Sequence, residues 1–315
     1  MMGGNDTWTA DFLLSGLFSN MKYSSILTYM ILLIYLAAVT GNSVLLLLIC
    51  MDTRLHTPMY FLLSQLSLVD LALISTTVPK MMTNFFSGRK NITRLACGTQ
   101  IFFVFTLGGA ECLLLTFMAY DRYVAVCNPL RYTVIMNHAV CLQMAAASWI
   151  GGILVSTFDT VYTMNLPICG SREIQHFFCE MPAIMKISCK DTSTYELVVF
   201  GMGIVFLFIP FGIITASYTF ILLAVFRMKS SKGRNKALTT CSSHIMVVSL
   251  YMGPCVYMYM TPGSSHNPEQ EQAVSVFCTV LTPMLNPLIY SLRNKDVVGA
   301  FQKVLGRHWV IKQNT

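Results

Sequence analysis

Seven stretches of this sequence are each apolar over about 20 residues or more, and they constrain the fold more than any other feature. They cover residues 24–50, 58–80, 96–127, 140–162, 196–226, 237–260 and 271–292. A helix needs about 20 apolar residues to cross the hydrocarbon core of a bilayer. The chain is 55% hydrophobic and only 11% charged, whereas soluble domains carry roughly 25% charged residues. The sequence therefore predicts an all-α membrane protein whose fold is a seven-transmembrane helix bundle.

The charges between these stretches predict the orientation of the chain and its division into segments. With the N-terminus outside, lysines and arginines are more numerous in the inner loops than in the outer ones, as the positive-inside tendency requires. We therefore expect an extracellular N-terminus (1–23), a seven-transmembrane domain (24–292) and a cytoplasmic tail (293–315). In the tail, apolar residues recur at helical spacing opposite basic ones, which predicts a short amphipathic helix on the inner membrane surface: Val297, Val298, Phe301, Val304 and Leu305.

The predicted outer segments contain glycosylation triplets and cysteines. Asn5 and Asn91 each begin an N-x-[ST] triplet, and glycan is added only on the lumenal side, so we predict both as acceptor sites. The chain has 11 cysteines. Disulfides persist in oxidising compartments, which points to the cysteines on outer segments: Cys97, Cys169, Cys179 and Cys189. Four cysteines allow three pairings, and the residues alone do not choose among them.

Four polar side chains lie inside the apolar stretches: Asn42, Asp70, Glu111 and Asn286. Each costs a few kcal/mol at the bilayer centre unless it has a partner, so we expect them to meet in the bundle interior. Two carboxylates in one pocket do not both ionise cheaply. Either one keeps its proton within a hydrogen-bonded cluster, or a sodium ion with oxygen ligands lies near Asp70 and Glu111. No other cofactor is expected.

The run Met118-Ala119-Tyr120-Asp121-Arg122-Tyr123 places charge where the third helix leaves the hydrocarbon. An ionisable pair at membrane depth indicates function by default. Glu111 lies 11 residues before Arg122, or about 16 Å along a helix, so we expect the arginine at the cytoplasmic mouth and the glutamate in the core. Asp121 would neutralise Arg122 while this mouth is closed, and opening would free the arginine for a partner protein.

Prolines interrupt the last three helices: Pro210, Pro254, Pro283 and Pro287. A proline inside a helix removes a hydrogen bond and kinks the helix. These prolines serve either packing or hinge motion, and the hinge interpretation is favoured for Pro287, which Asn286 and Tyr290 flank.

Five motifs, in order along nearly the whole chain, resemble the olfactory-receptor version of the rhodopsin-like signatures. They are Leu55-His56-Thr57-Pro58-Met59-Tyr60-Phe61, the run from Met118 to Tyr132, Ser217-Tyr218, Lys236-Ala237-Leu238-Thr239-Thr240-Cys241-Ser242-Ser243-His244, and Pro283-Met284-Leu285-Asn286-Pro287-Leu288-Ile289-Tyr290. The sequence most resembles tetrapod-type (class II) receptors of family 2.

This resemblance implies a rhodopsin-like G-protein-coupled receptor in the plasma membrane, activated by odorants. Its partners would be a small-molecule odorant, the lipid bilayer and the heterotrimeric stimulatory olfactory G protein, which raises cyclic AMP through adenylate cyclase; no nucleic acid is expected. It also implies the disulfides Cys97–Cys179 and Cys169–Cys189. Carried over by position, the residues of the activation switch and of G-protein coupling would be Asp121, Arg122, Tyr123, Tyr218, Asn286, Pro287 and Tyr290.

The resemblance further implies an odorant cavity in the outer halves of helices three, five, six and seven. Its predicted contacts are Val104, Phe105, Gly108, Gly109, Met202, Gly203, Phe206, Met252, Cys255, Val256, Tyr259 and Thr279. A mostly apolar set suits a small, volatile, weakly polar ligand, although each residue could instead serve helix packing, Gly108-Gly109 in particular. The family usually has Phe-Tyr-Gly where this chain has Tyr251-Met252-Gly253. The ligand-sensing tyrosine is therefore either replaced by Met252 or displaced to Tyr251.

Other functions have less support in the sequence. A transporter or channel would need a water-filled path, and only Asp70, Glu111 and Asn286 could line one. An intramembrane enzyme would need a nucleophile–base pair or metal-ligand spacing, so we predict no catalytic residues. A peptide receptor of the same class is the nearest alternative. Met118, Cys241, His244 and nearby Cys112 include soft ligand types, but their spacing favours packing, and no metal site is expected.

Overall fold

The computed structural model describes residues 12–17, 24–191, 193–227, 230–260 and 267–313, and eight long helices account for most of them. They are α1 (Ser24–Met51), α2 (Pro58–Ser87), α3 (Arg94–Cys127), α4 (His138–Met164), α5 (Ser193–Phe226), α6 (Ser231–Met260), α7 (Pro268–Val276, Phe277–Leu281 and Thr282–Arg293) and α8 (Lys295–Gln313). The predicted helical bundle is confirmed. Below, the N-side is the end of the bundle where α1 begins, and the C-side is the opposite end.

By length and composition, six of the described helices, α1 to α5 and α7, are each able to cross a bilayer. The remaining helix of the bundle, α6, is 30 residues long. Its first half is rich in serine, threonine, lysine and arginine, and its apolar part begins at Ile245. Several helices extend beyond the predicted apolar stretches, because a helix ends where its backbone is capped and not where apolarity ends. Thus α2 continues to Ser87 and is terminated by Gly88 in the left-handed conformation, with φ of 68°.

The helix α3 lies at the centre of the bundle and packs against α2, α4 and α5. Its closest approach is to α4, where a Cβ on Gly109 would lie 3.1 Å from the Cα of Gly152. A hydrogen bond of 2.6 Å between Thr106 Oγ1 and Ser156 Oγ joins the same two helices. Small residues let helix backbones approach closely in a membrane. Gly109 therefore serves helix packing, as one interpretation of the sequence anticipated.

Two of the helices contain a π-helical segment just before a proline. These segments are Ile204–Phe208 in α5, which precedes Pro210, and Phe277–Leu281 in α7, which precedes Pro283. A proline ring clashes with the carbonyl group four residues earlier, and a wider turn removes that clash. Pro254 and Pro287 instead lie inside regular helix. Single π-helical turns are frequent at functional sites, and both segments adjoin the cavity described below.

A small sheet and a long loop cover the N-side. Strand β1 (Phe12–Leu14) pairs antiparallel with β2 (Asn91–Ile92) and parallel with β3 (Glu173–Ile174). The loop between α4 and α5 contributes β3 and carries both disulfides implied above, Cys97–Cys179 and Cys169–Cys189, with Cα–Cα distances of 5.4 and 5.5 Å. Its Phe177 and Phe178 are fully buried. This loop therefore closes the N-side of the bundle, with β1 lying across it.

The C-terminal helix α8 packs against α7, α1 and the helical turn Thr53–Leu55. Val297 and Ala300 are buried, whereas Phe301 is exposed. Asp52 accepts hydrogen bonds from Arg54 and lies 3.9 Å from Lys303 Nζ. The Arg54 hydrogen bonds hold the pKa of this carboxyl below its usual range. The predicted tail helix is thus present and is docked against the bundle through one apolar face.

Candidate functional site

An internal cavity of about 170 Å³ lies in the N-side half of the bundle between α3, α4, α5, α6 and α7. The loop that closes the N-side contributes Phe178 and Glu180 to its wall. Most of the predicted contact residues line it: Val104, Phe105, Gly108, Gly109, Met202, Gly203, Phe206, Cys255 and Thr279. The structure therefore brings these residues together around one cavity, and their role in ligand binding stays a prediction.

Two predicted contacts are corrected by the structure. Met252 does not line the cavity but is 3% exposed within the main core, and Val256 also lies outside the lining and is 36% exposed. The reason is the rotation of α6, because successive helical residues are about 100° apart. Tyr251, Cys255 and Met258, at helical spacing, turn toward the cavity instead. The side chain of Tyr259 lies outside the described part of the structure.

Tyr251 resolves the alternative that the sequence left open in α6. Its ring lines the cavity, and its hydroxyl group donates a 2.5 Å hydrogen bond to the carbonyl oxygen of Gly108 in α3. The tyrosine at the cavity is thus the displaced one, one residue earlier in the chain than the family pattern. This contact links α3 and α6 across the cavity.

Sequence reasoning missed several residues of the cavity wall. They are Leu73, Cys112, Val155, Asp159, Phe178, Glu180, Val199, Leu207, Met258, Ser275 and Cys278. A signal existed for two of them, since Asp159 is a charged residue inside the fourth apolar stretch and Glu180 follows a disulfide cysteine. Asp159 is 3% exposed and accepts a 3.0 Å hydrogen bond from the hydroxyl group of Tyr195.

Glu180 is held at the cavity wall by contacts from two elements. Its Oε2 accepts a 3.0 Å hydrogen bond from the Ser275 hydroxyl group of α7 and lies 3.0 Å from Nε2 of His176 in the loop. Burial raises the pKa of Glu180 to about 7, against the opposing effect of the Ser275 hydrogen bond. Burial also lowers the pKa of His176 to about 3. The imidazole is therefore neutral at physiological pH and gives the carboxyl group no counter-charge.

The predicted polar core forms around Asn286, and three of its four members meet. Nδ2 of Asn286 lies 3.1 Å from both carboxylate oxygens of Asp70 and 3.4 Å from Oε1 of Glu111. Asn42 instead donates to the carbonyl oxygens of Ala38 and Pro283. All four side chains are buried. Glu111 Oε2 and Asn286 Oδ1 have no hydrogen-bond partner among the described residues.

The C-side carries the predicted charge pair. Arg122 Nη2 lies 2.9 Å from Asp121 Oδ2; the aspartate is fully buried, whereas the arginine is 15% exposed. Asp121 also accepts a 2.7 Å hydrogen bond from the hydroxyl group of Tyr132, a partner that sequence reasoning missed. Tyr132 begins a short helical turn after α3, so only the folded chain places it next to Asp121.

The remaining predicted switch residues make separate contacts within the bundle. Tyr218 lies with its hydroxyl group 2.6 Å from Nδ1 of the buried His244. Tyr290 is buried, and its hydroxyl group has no hydrogen-bond partner among the described residues. Tyr123 packs partly buried against the core, with its ring 6.0 Å from that of Phe220. Pro287 contacts α1, because a Cβ on Gly41 would lie 3.3 Å from its ring.

Two other predictions concern glycosylation and metal binding. The side chain of Asn91 is exposed in β2, and Asn5 lies outside the described residues, so both glycosylation sites stay predictions. Within the described residues, no group of three or more histidine, cysteine, aspartate or glutamate side chains is arranged to hold a metal ion.

The apolar helices and the cavity between them define the class of protein, a multi-pass helical membrane protein with a small internal cavity. The sequence profile of the olfactory receptor family matches residues 31–308. The chain is 56% identical over 303 residues to human olfactory receptor 2M2, covering 96% of this chain and 87% of that receptor. It is 54% identical to human olfactory receptors 2T27 and 2T11, with coverage of 95% of this chain and 94% and 95% of those receptors. The chain belongs to the olfactory receptor family, and it is a receptor, not an enzyme.

Proposed function

We propose that this receptor binds small, weakly polar odorants in the cavity and then activates the stimulatory olfactory G protein, which raises cyclic AMP. The single observation that carries the proposal is the internal cavity between α3, α4, α5, α6 and α7, lined mainly by apolar side chains. A cavity of roughly 150 Å³ in another protein accommodates benzene. A volume of about 170 Å³ therefore favours ligands of similar size.

Two helices provide a mechanical path from the cavity to the C-side. In α3, Gly108 lines the cavity and Arg122 lies 14 residues later, or about 21 Å along the helix. In α6, Tyr251 lines the cavity, and His244 lies two turns earlier against Tyr218. A ligand that displaces Tyr251 from the Gly108 carbonyl group would change the spacing of α3 and α6. That change would separate Asp121 from Arg122 and expose the arginine to the G protein.

The proposal includes an orientation with the N-terminus outside the plasma membrane. Its support is the distribution of basic residues and the acceptor triplet at the exposed Asn91 on the N-side. Glycan mapping tests it directly. Asn91→Gln should remove a glycan that endoglycosidase treatment also removes, and recognition of an N-terminal epitope only after permeabilising the cells would contradict this orientation.

A sodium ion at Asp70 and Glu111 is part of the same proposal. Sodium takes oxygen ligands, and the two buried oxygen atoms without a hydrogen-bond partner, Glu111 Oε2 and Asn286 Oδ1, provide such ligands beside Asp70. A bound cation would let both carboxyl groups remain ionised. It would hold α2, α3 and α7 together in the resting state.

The experiment is a cyclic AMP reporter assay with a panel of volatile compounds on cells expressing the receptor. Gly108→Val would add bulk beside Tyr251, since a Cβ at Gly108 already lies 3.7 Å from its hydroxyl oxygen. Gly212→Val is the matched control, because Gly212 has open space around it in α5. We expect Gly108→Val to weaken responses to the larger agonists and the control to leave them unchanged. Equal responses of both variants across the panel would remove the cavity from the proposal.

A further inference from the structure

Two buried carboxyl groups, those of Asp159 and Glu180, lie on the cavity wall, which is otherwise mainly apolar. They come from different elements, α4 and the loop that closes the N-side. Most buried carboxylates in proteins have a cationic partner or a metal ion. The ion pairs among the described residues give neither of these two groups a lysine or arginine.

The neighbours of Glu180 among the described residues give its carboxyl group hydrogen bonds but no paired lysine or arginine. Its neighbours are the Ser275 hydroxyl group, the neutral imidazole of His176 and, at longer range, Lys186 and Glu271. Lys186 is already engaged, with its Nζ 2.7 Å from both carboxylate oxygens of Glu271. Thus, among the described residues, the nearest lysine is paired with another acid, and the direct partners of Glu180 are the Ser275 hydroxyl group and the His176 imidazole.

Asp159, in α4, likewise has a neutral hydrogen-bond partner and no paired lysine or arginine among the described residues. Its Oδ1 accepts the Tyr195 hydroxyl hydrogen bond, and this neutral donor is its described hydrogen-bond partner. A hydroxyl group satisfies part of the hydrogen-bonding capacity of a carboxylate but does not compensate its charge. Both acids are therefore ready to accept a cation or a strong donor from a molecule in the cavity.

The remaining wall residues set the sign of the electrostatic potential in the cavity. The described lining contains no lysine, arginine or histidine. A ligand carboxylate would lose its hydration and meet two acids, whereas a protonated amine would meet two acceptors. A cation beside a buried carboxyl group also favours ionisation of that group, with its proton released to solvent. Binding of a cation and ionisation of Glu180 thus reinforce each other.

We propose that the cavity selects odorants bearing a basic nitrogen over carboxylic acids of the same carbon skeleton, with Glu180 as the main specificity-determining side chain and Asp159 as a second acceptor. This inference rests on the proposed function, because it assigns a ligand class to the same cavity. Neutral alcohols, which donate one hydrogen bond, rank between the amines and the acids.

The test uses matched volatile sets in the cyclic AMP reporter assay on intact cells. Each set has one skeleton, such as cyclohexyl, butyl or benzyl, and carries an amine, a hydroxyl, a methyl or a carboxylic acid group. Variants are Glu180→Gln, Asp159→Asn and the conservative Glu180→Asp, with Glu269→Gln as the matched control at an exposed N-side glutamate. Surface expression is measured for every variant by flow cytometry.

We expect amines to activate the unmodified receptor at lower concentrations than alcohols, and acids to be inactive. Glu180→Gln should weaken amine responses by about 10- to 100-fold, as the loss of a charged hydrogen bond does, and should change alcohol responses much less. Glu180→Asp should restore part of the amine response, and Glu269→Gln should leave all responses unchanged. Agreement in these rankings supports the inference.

Three outcomes would overturn it: acids as active as amines, alcohols or hydrocarbons active while amines are not, or an equal loss of amine and alcohol responses in Glu180→Gln at normal surface expression. If no volatile compound of any class raises cyclic AMP, the proposed function fails, and this inference fails with it. The ranking of classes thus separates the two failures. If Glu180→Gln does not reach the surface, Asp159→Asn and the ranking in the unmodified receptor still decide.

Discussion

The contact between α3 and α4 gives a quantitative prediction for the substitution Gly152→Ala. A methyl group on Gly152 would overlap the carbonyl oxygen of Thr106 and lie 3.1 Å from the amide nitrogen of Ala110. Both atoms belong to the backbone of α3, so neither can rotate away. Non-bonded carbon atoms settle about 3.5–4.0 Å apart, and the two helices would therefore have to separate by roughly 1 Å.

The cost follows from what that separation disturbs. Overpacking of a well-packed interface destabilises by about 1–3 kcal/mol. The 2.6 Å hydrogen bond between Thr106 and Ser156 spans the same interface, and its loss adds about 0.5–1.5 kcal/mol. We expect Gly152→Ala to lower the free energy of unfolding by roughly 2–4 kcal/mol, which reduces the ratio of folded to unfolded receptor by about 30-fold or more.

The assay is reversible unfolding of the purified receptor in mixed micelles, together with the surface fraction measured by flow cytometry. Gly212→Ala is the control, because Gly212 has no atom within 4 Å of its added Cβ; it should stabilise α5 by up to about 1 kcal/mol through helix propensity. If Gly152→Ala unfolds at the same denaturant concentration as the unmodified receptor, the close α3–α4 contact is not as described.

Four further predictions follow from single contacts. Arg122→Ala should abolish odorant-evoked cyclic AMP while surface expression stays measurable. Arg131→Ala, at an exposed arginine, is the control, and a retained response in Arg122→Ala would remove the role given to Arg122. Tyr132→Phe deletes the 2.7 Å hydrogen bond to Asp121, which is worth about 1 kcal/mol. Ligand-independent cyclic AMP should therefore rise about fivefold. Tyr120→Phe is the control, and the same basal cyclic AMP level in both variants would contradict the prediction. Cys97→Ser removes a disulfide whose cysteines are separated by 82 in sequence and should lower the free energy of unfolding by about 2–5 kcal/mol, which would be seen as lost surface expression. Cys50→Ser is the control, and equal surface expression of the two variants would count against a structural role of the disulfide. Replacing choline with sodium should raise the melting temperature of the unmodified receptor but not of Asp70→Asn, and an equal rise in both would dismiss the sodium site.

The sequence alone predicted which stretches form apolar helices of membrane-spanning length, because the free energy of transferring a stretch of side chains into hydrocarbon is a local property of that stretch. Six of the described helices, α1 to α5 and α7, have this length and composition. The sequence also determined the positions of Asp121 and Arg122 near the end of α3, since their distance from Glu111 along a helix is fixed by helical rise. Likewise it placed Asp70, Glu111 and Asn286 in one cluster, because each needs a partner that lipid does not provide.

Tertiary structure decided everything that depends on rotation of a helix or on contact between distant segments. Tyr251 and not Met252 faces the cavity because packing fixes the rotation of α6, and a difference of one residue changes the face by about 100°. Glu180 reaches the cavity because its loop folds back over the bundle, and Tyr132 meets Asp121 because the chain turns after α3. These contacts join residues whose proximity no local pattern encodes, whereas hydrophobicity and helical periodicity are encoded residue by residue.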